Sequence, residues 1–394
     1  MGEADSAPTS VAILGSTGSI GRQALDVIAR HPQRFTVVGL AAGSNAALIC
    51  EQAEAFGVPL VGLADTAAAK SARTLALAGT EVIDGESAAA SVAAIGADVV
   101  LNSMVGSRGL RPTLEALGAG SRLALANKES LIVGGELVRG AAGDPDRIVP
   151  VDSEHSALAQ CLAAGRRREV ARLIVTASGG PFRGYSRAQM QRVTVADALA
   201  HPTWDMGDVI TINSATLANK GLEIIEAHLL FDVPYDQIDV VVHPSSTVHS
   251  MVEFVDGATM ASLSPPDMRL PIQWALAWPE RLGWAAARMD WTQPVTLQFE
   301  PLDADTFPMV DLAVAAGRTG GTAPGVFNAA NEEAVAAFLD GRLSFLGITD
   351  VVAAVLGEHT GAGSPDLETV LAAEAAARTR ARELIRDNRD ASCS

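Results

Sequence analysis

The chain is poor in aromatic residues, in basic charge and in long apolar runs. Each shortage limits the structures or the functions that the chain can have. Aromatic side chains make up only 4% of the 394 residues, so the core is expected to consist mainly of Ala, Val, Leu and Ile. No run reaches the roughly 18 apolar residues of a membrane-spanning helix. The net charge of −17, from 46 acidic and 29 basic residues, argues against non-specific binding to nucleic acid or to a membrane surface.

Cysteine is also scarce. Cys50, Cys161 and Cys393 are widely spaced and follow neither a disulfide framework nor a metal-binding pattern. The first ten residues are acidic, whereas a signal peptide begins with a basic segment. We therefore expect reduced thiols in a cytoplasmic protein.

Short apolar runs alternate with helical segments over the first 150 residues. Strands are predicted at 11–14, 35–40, 60–63, 99–101, 122–126 and 148–151, and helices at 23–30, 46–56 and 112–117. This alternation predicts an α/β fold with a doubly wound, Rossmann-like parallel sheet.

The rest of the chain predicts two further regions and a linker. The middle region reads as an α+β domain, with helices at 156–164 and 217–230 and strands at 172–176, 209–212, 240–243, 247–254 and 259–263. The C-terminal region reads as four helices, at 312–316, 331–339, 348–356 and 367–386. The predicted division is 1–150 for the Rossmann-like domain, 151–277 for the α+β domain, 278–303 for the linker and 304–394 for the helical domain.

A glycine-rich turn joins the first predicted strand to the first helix. Gly15, Gly18 and Gly21 follow an apolar strand. Glycine lets a backbone approach a ligand closely, and a helix N-terminus offers N–H groups to a pyrophosphate. The spacing G-x-x-G-x-x-G misses the usual dinucleotide fingerprint by one residue, so an ordinary strand–helix turn is the alternative.

The second strand ends at Ala41–Asn45, which contains no acidic residue. An NAD enzyme commonly carries Asp or Glu there for the ribose 2′-hydroxyl, and such an acid would repel the 2′-phosphate of NADP. Ser44 and Asn45 would then act as neutral donors. The segment favours NADPH.

Two carboxylates follow the last strand of this region. Asp152 and Glu154 stand two residues apart, so in an extended chain both side chains point to the same side. Such a pair can bind a hard divalent cation through oxygen, and without a cation we expect repulsion to raise the pKa of one of them. The alternative is that Asp152 caps a helix that begins near His155.

Two further segments suit an anion. Ser178 lies in a small-residue turn after a strand and can present its hydroxyl and backbone N–H groups. Ser214, Asn219 and Lys220 supply a hydroxyl, an amide and a positive charge near a helix start, where Glu223 shares a face with Lys220. A capped amphipathic helix with a surface ion pair is the alternative. Together the segments suggest a metal-assisted reduction of a phosphorylated sugar.

Eight motifs in a fixed order resemble the 1-deoxy-D-xylulose-5-phosphate reductoisomerase family. They are GSTGSIG at 15–21, ANKES at 126–130, VDSEHSA at 151–157, SGGPF at 178–182, HPTWDMG at 201–207, NSATLANKGLEIIEA at 213–227, HPSSTVHSMV at 243–252 and PPDMR at 265–269. The resemblance implies an NADPH-dependent enzyme that rearranges and reduces 1-deoxy-D-xylulose 5-phosphate to 2-C-methyl-D-erythritol 4-phosphate. It also implies a homodimer formed through the sheet of the middle domain.

The resemblance assigns roles residue by residue. The implied metal ligands for Mg2+ or Mn2+, with Co2+ as a further option, are Asp152, Glu154 and Glu223. Glu226, three residues beyond Glu223, competes with it for the third ligand position and ranks lower because the register of the motif selects Glu223. The implied catalytic residues are these three acids and Lys128. The implied substrate-binding residues are Lys128, Ser153, Glu154, Ser178, His201, Trp204, Ser214, Asn219, Lys220 and Glu223. The implied cofactor-binding residues are Gly15, Thr17, Gly18, Ser19, Ile20, Gly43, Ser44, Asn45, Asn127, Lys128, Glu129, Met206, Gly207, His249 and Met268. Trp204 and Met206 would belong to a lid, and some family members have lysine where this chain has Ser44.

Two other functions share part of this pattern. A semialdehyde or glyceraldehyde-phosphate dehydrogenase would need a nucleophilic cysteine, and none of the three cysteines lies in a suitable segment. A non-catalytic NADP-sensing protein would not need the acidic pair together with Lys220 and Glu223.

Overall fold

Two β-sheets organise the chain, and each belongs to one of two compact units. The computed structural model describes residues 7–76, 79–204, 206–283, 286–361 and 363–392, with side chains described up to 387. The first unit lies within Met1–Ser130, Val138–Ser156 and Asp267–Ala287. The second unit lies within Leu131–Leu137, Ala157–Pro266 and Arg288–Ser394.

The sheet of the first unit is wholly parallel and has seven strands in the order β4-β3-β2-β1-β5-β6-β7. The strands are β1 Thr9–Leu14, β2 Phe35–Ala42, β3 Leu60–Leu63, β4 Glu81–Asp84, β5 Val99–Asn102, β6 Arg122–Leu125 and β7 Ile148–Pro150. Val11 to Leu14 are fully buried, as expected for a parallel sheet covered on both faces. The predicted Rossmann-like α/β fold is therefore confirmed.

Helices flank this sheet and make up most of the second unit. They are α1 Ser19–Arg30, α2 Ala46–Phe56, α3 Thr66–Leu75, α4 Ala88–Ala93, α5 Leu110–Gly118, α6 Lys128–Ala142, α7 Ser153–Leu162, α8 Arg187–Met190, α9 Val195–Leu199, α10 Asp208–Ala215, α11 Ala218–Phe231, α12 Arg269–Ala277, α13 Met309–Thr319, α14 Ala323–Leu339, α15 Phe345–Glu358 and α16 Leu367–Ser392. In the part of the chain that is described, no helix combines the length and apolar character required to cross a membrane.

The sheet of the second unit is mixed and has five strands in the order β11-β10-β8-β9-β12. They are β8 Val170–Ala177, β9 Ile238–Val242, β10 Val248–Phe254, β11 Thr259–Leu263 and the two-residue β12 Glu300–Pro301. Only β8 and β9 are parallel; the other neighbours are antiparallel. β11 and β12 are the edge strands.

The C-terminal helices share one hydrophobic core with this second sheet. Phe182, in the loop after β8, meets Phe345 of α15 with ring centroids 4.9 Å apart in an edge-on arrangement. Phe345 also contacts Phe338 of α14, and Phe327 of the same helix is fully buried. The predicted α+β region and the helical C-terminal region are confirmed as structural classes, and the boundaries at 150, 277 and 303 stay a prediction.

Two local predictions are wrong. The segment 209–212 was expected to be a strand, but it lies in α10, where Thr211, Ile212 and Ala215 face the interior with helical spacing. The second wrong prediction places Asp152 and Glu154 in extended chain. The strand β7 ends at Pro150, and α7 begins at Ser153. The two acids therefore lie just before and within the first turn of a helix rather than in extended chain.

Candidate active site

The turn between β1 and α1 needs glycine at two positions. Gly15 has a positive φ of 82°, and a Cβ atom there would lie 2.7 Å from the Ser103 carbonyl oxygen. A Cβ atom on Gly21 would lie 2.4 Å from the Gly15 carbonyl oxygen. This tight path starts α1 at Ser19, and the first N–H groups of a helix have no partner within it. The predicted cofactor residues Thr17, Gly18, Ser19 and Ile20 therefore lie at the N-terminus of α1, a position that can offer N–H groups to an anion.

A second loop borders this turn, and no motif in the sequence pointed to it. β1 lies between β2 and β5, where the strand order changes direction and ligands of doubly wound sheets bind. The loop after β5 begins at Ser103, whose hydroxyl donates to the Leu14 carbonyl at 2.7 Å. The Asn127 amide donates to the carbonyls of Met104 at 2.8 Å and Gly106 at 2.9 Å. Asn127, predicted as a cofactor residue, thus holds a loop at the carboxyl end of the sheet, next to Glu129, which accepts from the same amide at 3.0 Å.

The predicted ribose-binding residues follow β2. Gly43, Ser44 and Asn45 are exposed, and the Asn45 side-chain oxygen caps α2 by accepting from the Leu48 N–H at 3.2 Å. The side-chain amide of Asn45 and the Ser44 hydroxyl offer donors at the end of the strand. A glycine-lined turn at the switch point and neutral donors after β2 fit a dinucleotide that carries a 2′-phosphate.

The acidic residues of the first unit form a hydrogen-bonded cluster at the ends of β6 and β7. Lys128, the first residue of α6, places its Nζ 2.5 Å from Asp152 Oδ2. Asp152 Oδ1 lies 3.0 Å from His155 Nδ1 and accepts from the Glu154 N–H at 3.2 Å. The Ser153 hydroxyl donates to Glu154 Oε2 at 2.5 Å. The structure therefore brings four predicted site residues together, and Asp152 also caps α7, as the alternative interpretation proposed.

The charge of Asp152 is set by its neighbours. Burial raises its pKa, but the charges and hydrogen bonds of Lys128 and His155 outweigh burial and hold the pKa of this carboxyl well below its usual range. The expectation of a raised pKa is wrong for Asp152 because a lysine lies against it. An ionised carboxylate is the form that binds a divalent cation.

In the second unit, Ser178 and His201, two of the predicted substrate-binding residues, contact each other. Ser178 Oγ lies 3.0 Å from His201 Nε2, and His201 Nδ1 accepts from the backbone N–H groups of Thr203 at 3.2 Å and Trp204 at 2.9 Å. Burial lowers the pKa of His201, so the neutral ring carries its proton on Nε2 and donates it to Ser178. The Ser178 oxygen also accepts from the Gly180 N–H at 3.2 Å. With its oxygen accepting twice, the Ser178 hydroxyl has its own proton to give to an anion.

The other residues predicted to bind the substrate phosphate lie where α10 meets α11. A Cβ atom on Gly180, which has a φ of 64°, would lie 2.7 Å from the Ser214 carbonyl oxygen, so the Ser178 turn packs directly on the end of α10. Lys220 is buried and donates to the Thr176 carbonyl and to Glu223 Oε2, and Asn219 donates to Glu223 Oε1. All the residues predicted to bind the substrate phosphate, together with Glu223, belong to the second unit. They are Ser178, His201, Ser214, Asn219, Lys220 and Glu223. Glu226, the lower-ranked metal ligand, is fully buried on the same helix.

The remaining predicted residues lie in both units. Trp204 and His249 belong to the second unit, with ring centroids 6.3 Å apart. Met206 and Gly207 immediately precede α10 there, and Gly207 is its N-cap. Met268 belongs to the first unit, as the N-cap of α12.

The two cysteines in the described residues do not suit nucleophilic catalysis. Cys50 and Cys161 are buried free thiols, and burial raises the pKa of Cys50 and raises that of Cys161 to about 11. A nucleophilic cysteine needs a lowered pKa. Cys393 lies outside the described residues. The dehydrogenase alternative therefore has no candidate nucleophile among the described thiols.

Family models for one enzyme match most of the chain. Residues 11–135 match the model for 1-deoxy-D-xylulose 5-phosphate reductoisomerase, residues 148–231 match the model for its C-terminal domain, and residues 263–380 match a further DXP reductoisomerase C-terminal domain model. Curated relatives carry the same name. The protein of Beutenbergia cavernae is 60% identical over 384 residues, covering 96% of this chain and 98% of the relative, and that of Kitasatospora griseola is 59% identical over 389 residues, covering 94% and 99%.

Solved structures agree. The 1-deoxy-D-xylulose 5-phosphate reductoisomerase of Zymomonas mobilis in complex with NADPH superimposes with a TM-score of 0.89 at 41% identity, covering 96% of this chain and 99% of that one. A DOX-P reductoisomerase in complex with NADPH, fosmidomycin and magnesium superimposes with a TM-score of 0.88 at 38% identity, covering 96% and 98%.

Proposed function

The chain belongs to the 1-deoxy-D-xylulose 5-phosphate reductoisomerase family, and we propose how its own residues serve that family's reaction. The reaction is the NADPH- and divalent-metal-dependent rearrangement and reduction of 1-deoxy-D-xylulose 5-phosphate to 2-C-methyl-D-erythritol 4-phosphate in non-mevalonate isoprenoid biosynthesis. When bound, the metal ion stabilises negative charge on substrate oxygens and the cofactor supplies the hydride.

Asp152, Glu154 and Glu223 are the proposed metal ligands. Three carboxylates form the hard oxygen donor set that Mg2+ and Mn2+ prefer, and the lowered pKa of Asp152 keeps that donor ionised. Lys128 and Ser153 are hydrogen-bonded to two of these acids. They are thus positioned to donate to substrate hydroxyls beside the ion, with Lys128 supplying a positive charge.

Ser178 carries the proposal for the substrate phosphate. Because its oxygen accepts from His201 and from the Gly180 N–H, its hydroxyl proton can go to a phosphate oxygen. Lys220 adds a buried positive charge, and Ser214 and Asn219 add polar groups at the adjoining helix ends. A phosphate bound here would meet a preorganised set of donors.

The turn after β1 and the segments after β2 and β6 are proposed to hold NADPH. Gly15, Thr17, Gly18, Ser19 and Ile20 would contact the pyrophosphate, and Gly43, Ser44 and Asn45 the adenosine ribose. Asn127, Lys128, Glu129, Gly207, His249 and Met268 would lie on the nicotinamide side. Trp204 and Met206, in the loop before α10, would cover the bound substrate and exclude water.

The decisive experiment is an assay of NADPH oxidation by deoxyxylulose 5-phosphate, with and without Mn2+. We expect turnover only with the metal ion. Glu223→Gln keeps the size of the side chain but removes its charge, and we expect its kcat to fall by roughly 100-fold or more, as for loss of an electrostatic catalyst. Glu81→Gln, on the edge strand β4 of the first unit, is the matched control. Full activity after exhaustive chelation would contradict the metal assignment.

We further propose that two copies of the chain pair through β11. This strand is an edge of the second sheet, and Thr259, Met260 and Ala261 are exposed. An exposed edge offers unpaired N–H and C=O groups to another strand. Light scattering after size-exclusion chromatography is expected to give twice the chain mass of 40.7 kDa, and Ala261→Pro is expected to shift the mass toward one chain because proline removes an edge donor. A monomer at micromolar concentration would exclude this arrangement.

A further inference from the structure

His249 lies at an irregularity in the second sheet. Its neighbours pair with β11 as Val248 with Leu263 and Ser250 with Ser262, so β10 carries one extra residue at this point. That residue is His249. A β-bulge of this kind redirects a side chain, and bulges are frequent beside active sites.

The backbone of the bulge is held from the β8 side. The buried Thr176 hydroxyl lies 2.7 Å from the His249 carbonyl oxygen and 2.9 Å from that of Val248, and it donates its proton to this pair. The carbonyl of Thr176 in turn accepts from Lys220. The position of His249 is therefore fixed by its main chain, independently of its ring.

The ring is held from the β11 side by Ser264. His249 Nε2 lies 2.8 Å from Ser264 Oγ, and Ser264 Oγ donates to the Pro265 carbonyl at 3.1 Å. The Ser264 N–H donates to the Thr247 carbonyl at 3.0 Å, which ties this serine to the start of the bulge. His249 and Ser264 are 7% and 6% exposed, so water competes little for these bonds.

The bond from Ser264 to Pro265 favours one position for the ring proton of His249. A serine hydroxyl has one proton, and a carbonyl oxygen can only accept. When the Ser264 proton goes to Pro265, the Ser264 oxygen can only accept, and His249 Nε2 must be the protonated nitrogen. Neutral His249 then has a lone pair on Nδ1.

We propose that Ser264 is a positioning residue that keeps His249 in the Nε2–H tautomer, so that Nδ1 acts as a hydrogen-bond acceptor. The effect on catalysis rests on the proposed function, in which His249 lies on the nicotinamide side of the substrate. In that setting the tautomer decides whether the ring accepts or donates a proton at Nδ1. In an active-site histidine, the hydrogen bond made by one ring nitrogen commonly decides whether the other nitrogen is protonated.

The tautomer can be measured without substrate. Long-range 1H–15N correlation spectra of 15N-histidine-labelled enzyme distinguish protonated from unprotonated ring nitrogens. The chain has seven histidines, and the signals of His249 are identified as those that disappear in His249→Gln. If that variant folds poorly, His249→Asn serves the same purpose. We expect protonated Nε2 in the wild type and in Ser264→Thr, which keeps the hydroxyl. In Ser264→Ala we expect a mixture or the Nδ1–H form.

Kinetics then tests the consequence. For Ser264→Ala we expect kcat to fall about tenfold, the size of effect expected when a buried donor loses its acceptor. We expect KM for the sugar phosphate to change less than threefold. Ser264→Thr is expected to restore most of kcat. The control is Ser121→Ala, a buried serine whose hydroxyl has no hydrogen-bond partner among the residues that the structure describes.

The outcomes separate the two proposals. An unchanged His249 spectrum in Ser264→Ala would overturn the role of Ser264, whatever the enzyme does. A changed spectrum with unchanged kcat would overturn its catalytic consequence. Normal turnover by His249→Gln would instead contradict the proposed place of His249 in the reaction, while the spectra would still decide the tautomer.

Discussion

Replacing Ser178 by alanine tests the proposed phosphate site most directly. The substitution removes the hydroxyl that would donate to the phosphate. It also removes the acceptor of two hydrogen bonds, from His201 Nε2 at 3.0 Å and from the Gly180 N–H at 3.2 Å. His201 in turn accepts from the Trp204 N–H, so the change reaches the loop that would cover the substrate.

The expected magnitude follows from these contacts. A hydrogen bond to a charged group contributes about 1.5–3 kcal/mol, which corresponds to a loss of roughly 10- to 100-fold in kcat/KM. Because the phosphate is remote from the bonds that change, most of the loss is expected in KM. Ser178→Thr keeps the hydroxyl and is expected to lose much less.

The assay is the initial rate of NADPH oxidation over a range of deoxyxylulose 5-phosphate concentrations, together with competition by inorganic phosphate. The inhibition constant of phosphate is expected to rise with KM in Ser178→Ala. Thermal unfolding of the same samples checks that the fold is retained. A KM and a phosphate inhibition constant that both equal those of the wild type would refute the assignment of Ser178.

Two other substitutions test the first unit. Gly21→Ala places a Cβ atom 2.4 Å from the Gly15 carbonyl oxygen. We therefore expect the NADPH affinity, measured by fluorescence, to fall at least tenfold and the free energy of unfolding to fall by about 1–3 kcal/mol. Gly118→Ala, whose Cβ atom would meet nothing within 4 Å, is expected to leave both quantities near those of the wild type. Lys128→Met removes the charge that lowers the pKa of Asp152. A lowered carboxyl pKa stabilises the folded chain at pH values above the pKa of the unfolded chain, 3.8, and this stabilisation is lost as the pH falls through the pKa of the folded chain. Lys128→Met is therefore expected to unfold at a higher pH than the wild type in an acid titration followed by circular dichroism. Lys70→Met, which replaces an exposed lysine, is expected to unfold at the pH of the wild type.

The regular part of the fold was predictable because its pattern is local. The first five predicted strands end within two residues of the ends of β1, β2, β3, β5 and β6. β4 was missed because Glu81–Asp84 is a short, half-buried edge strand with little apolar signal. The segment 209–212 was misread because its Val, Ile and Thr residues suit a strand, whereas packing in the second unit selects a helix.

The site was predictable as a set of residue types but not as a set of contacts. The motifs identified Asp152, Lys128 and Ser178, and the structure places Lys128 on Asp152. The lowered pKa of Asp152 was not predictable, because it depends in part on contact with Lys128, which follows a different strand of the sheet. Ser264 carries no signal in the sequence, since its contact with His249 exists only through the bulge in β10.

The lysine–carboxylate pairs have a consequence for folding. Asp152 carries an internal counterion in Lys128, and Glu223 carries one in Lys220. Small zinc domains, by contrast, draw their folding free energy from the metal and unravel in chelator. Because these two acids already have counterions in the protein, we expect the chain to fold without a divalent ion. We expect a chelator to abolish turnover while leaving the melting temperature almost unchanged. The supply of divalent ions would then control the activity of the protein and not its folding stability.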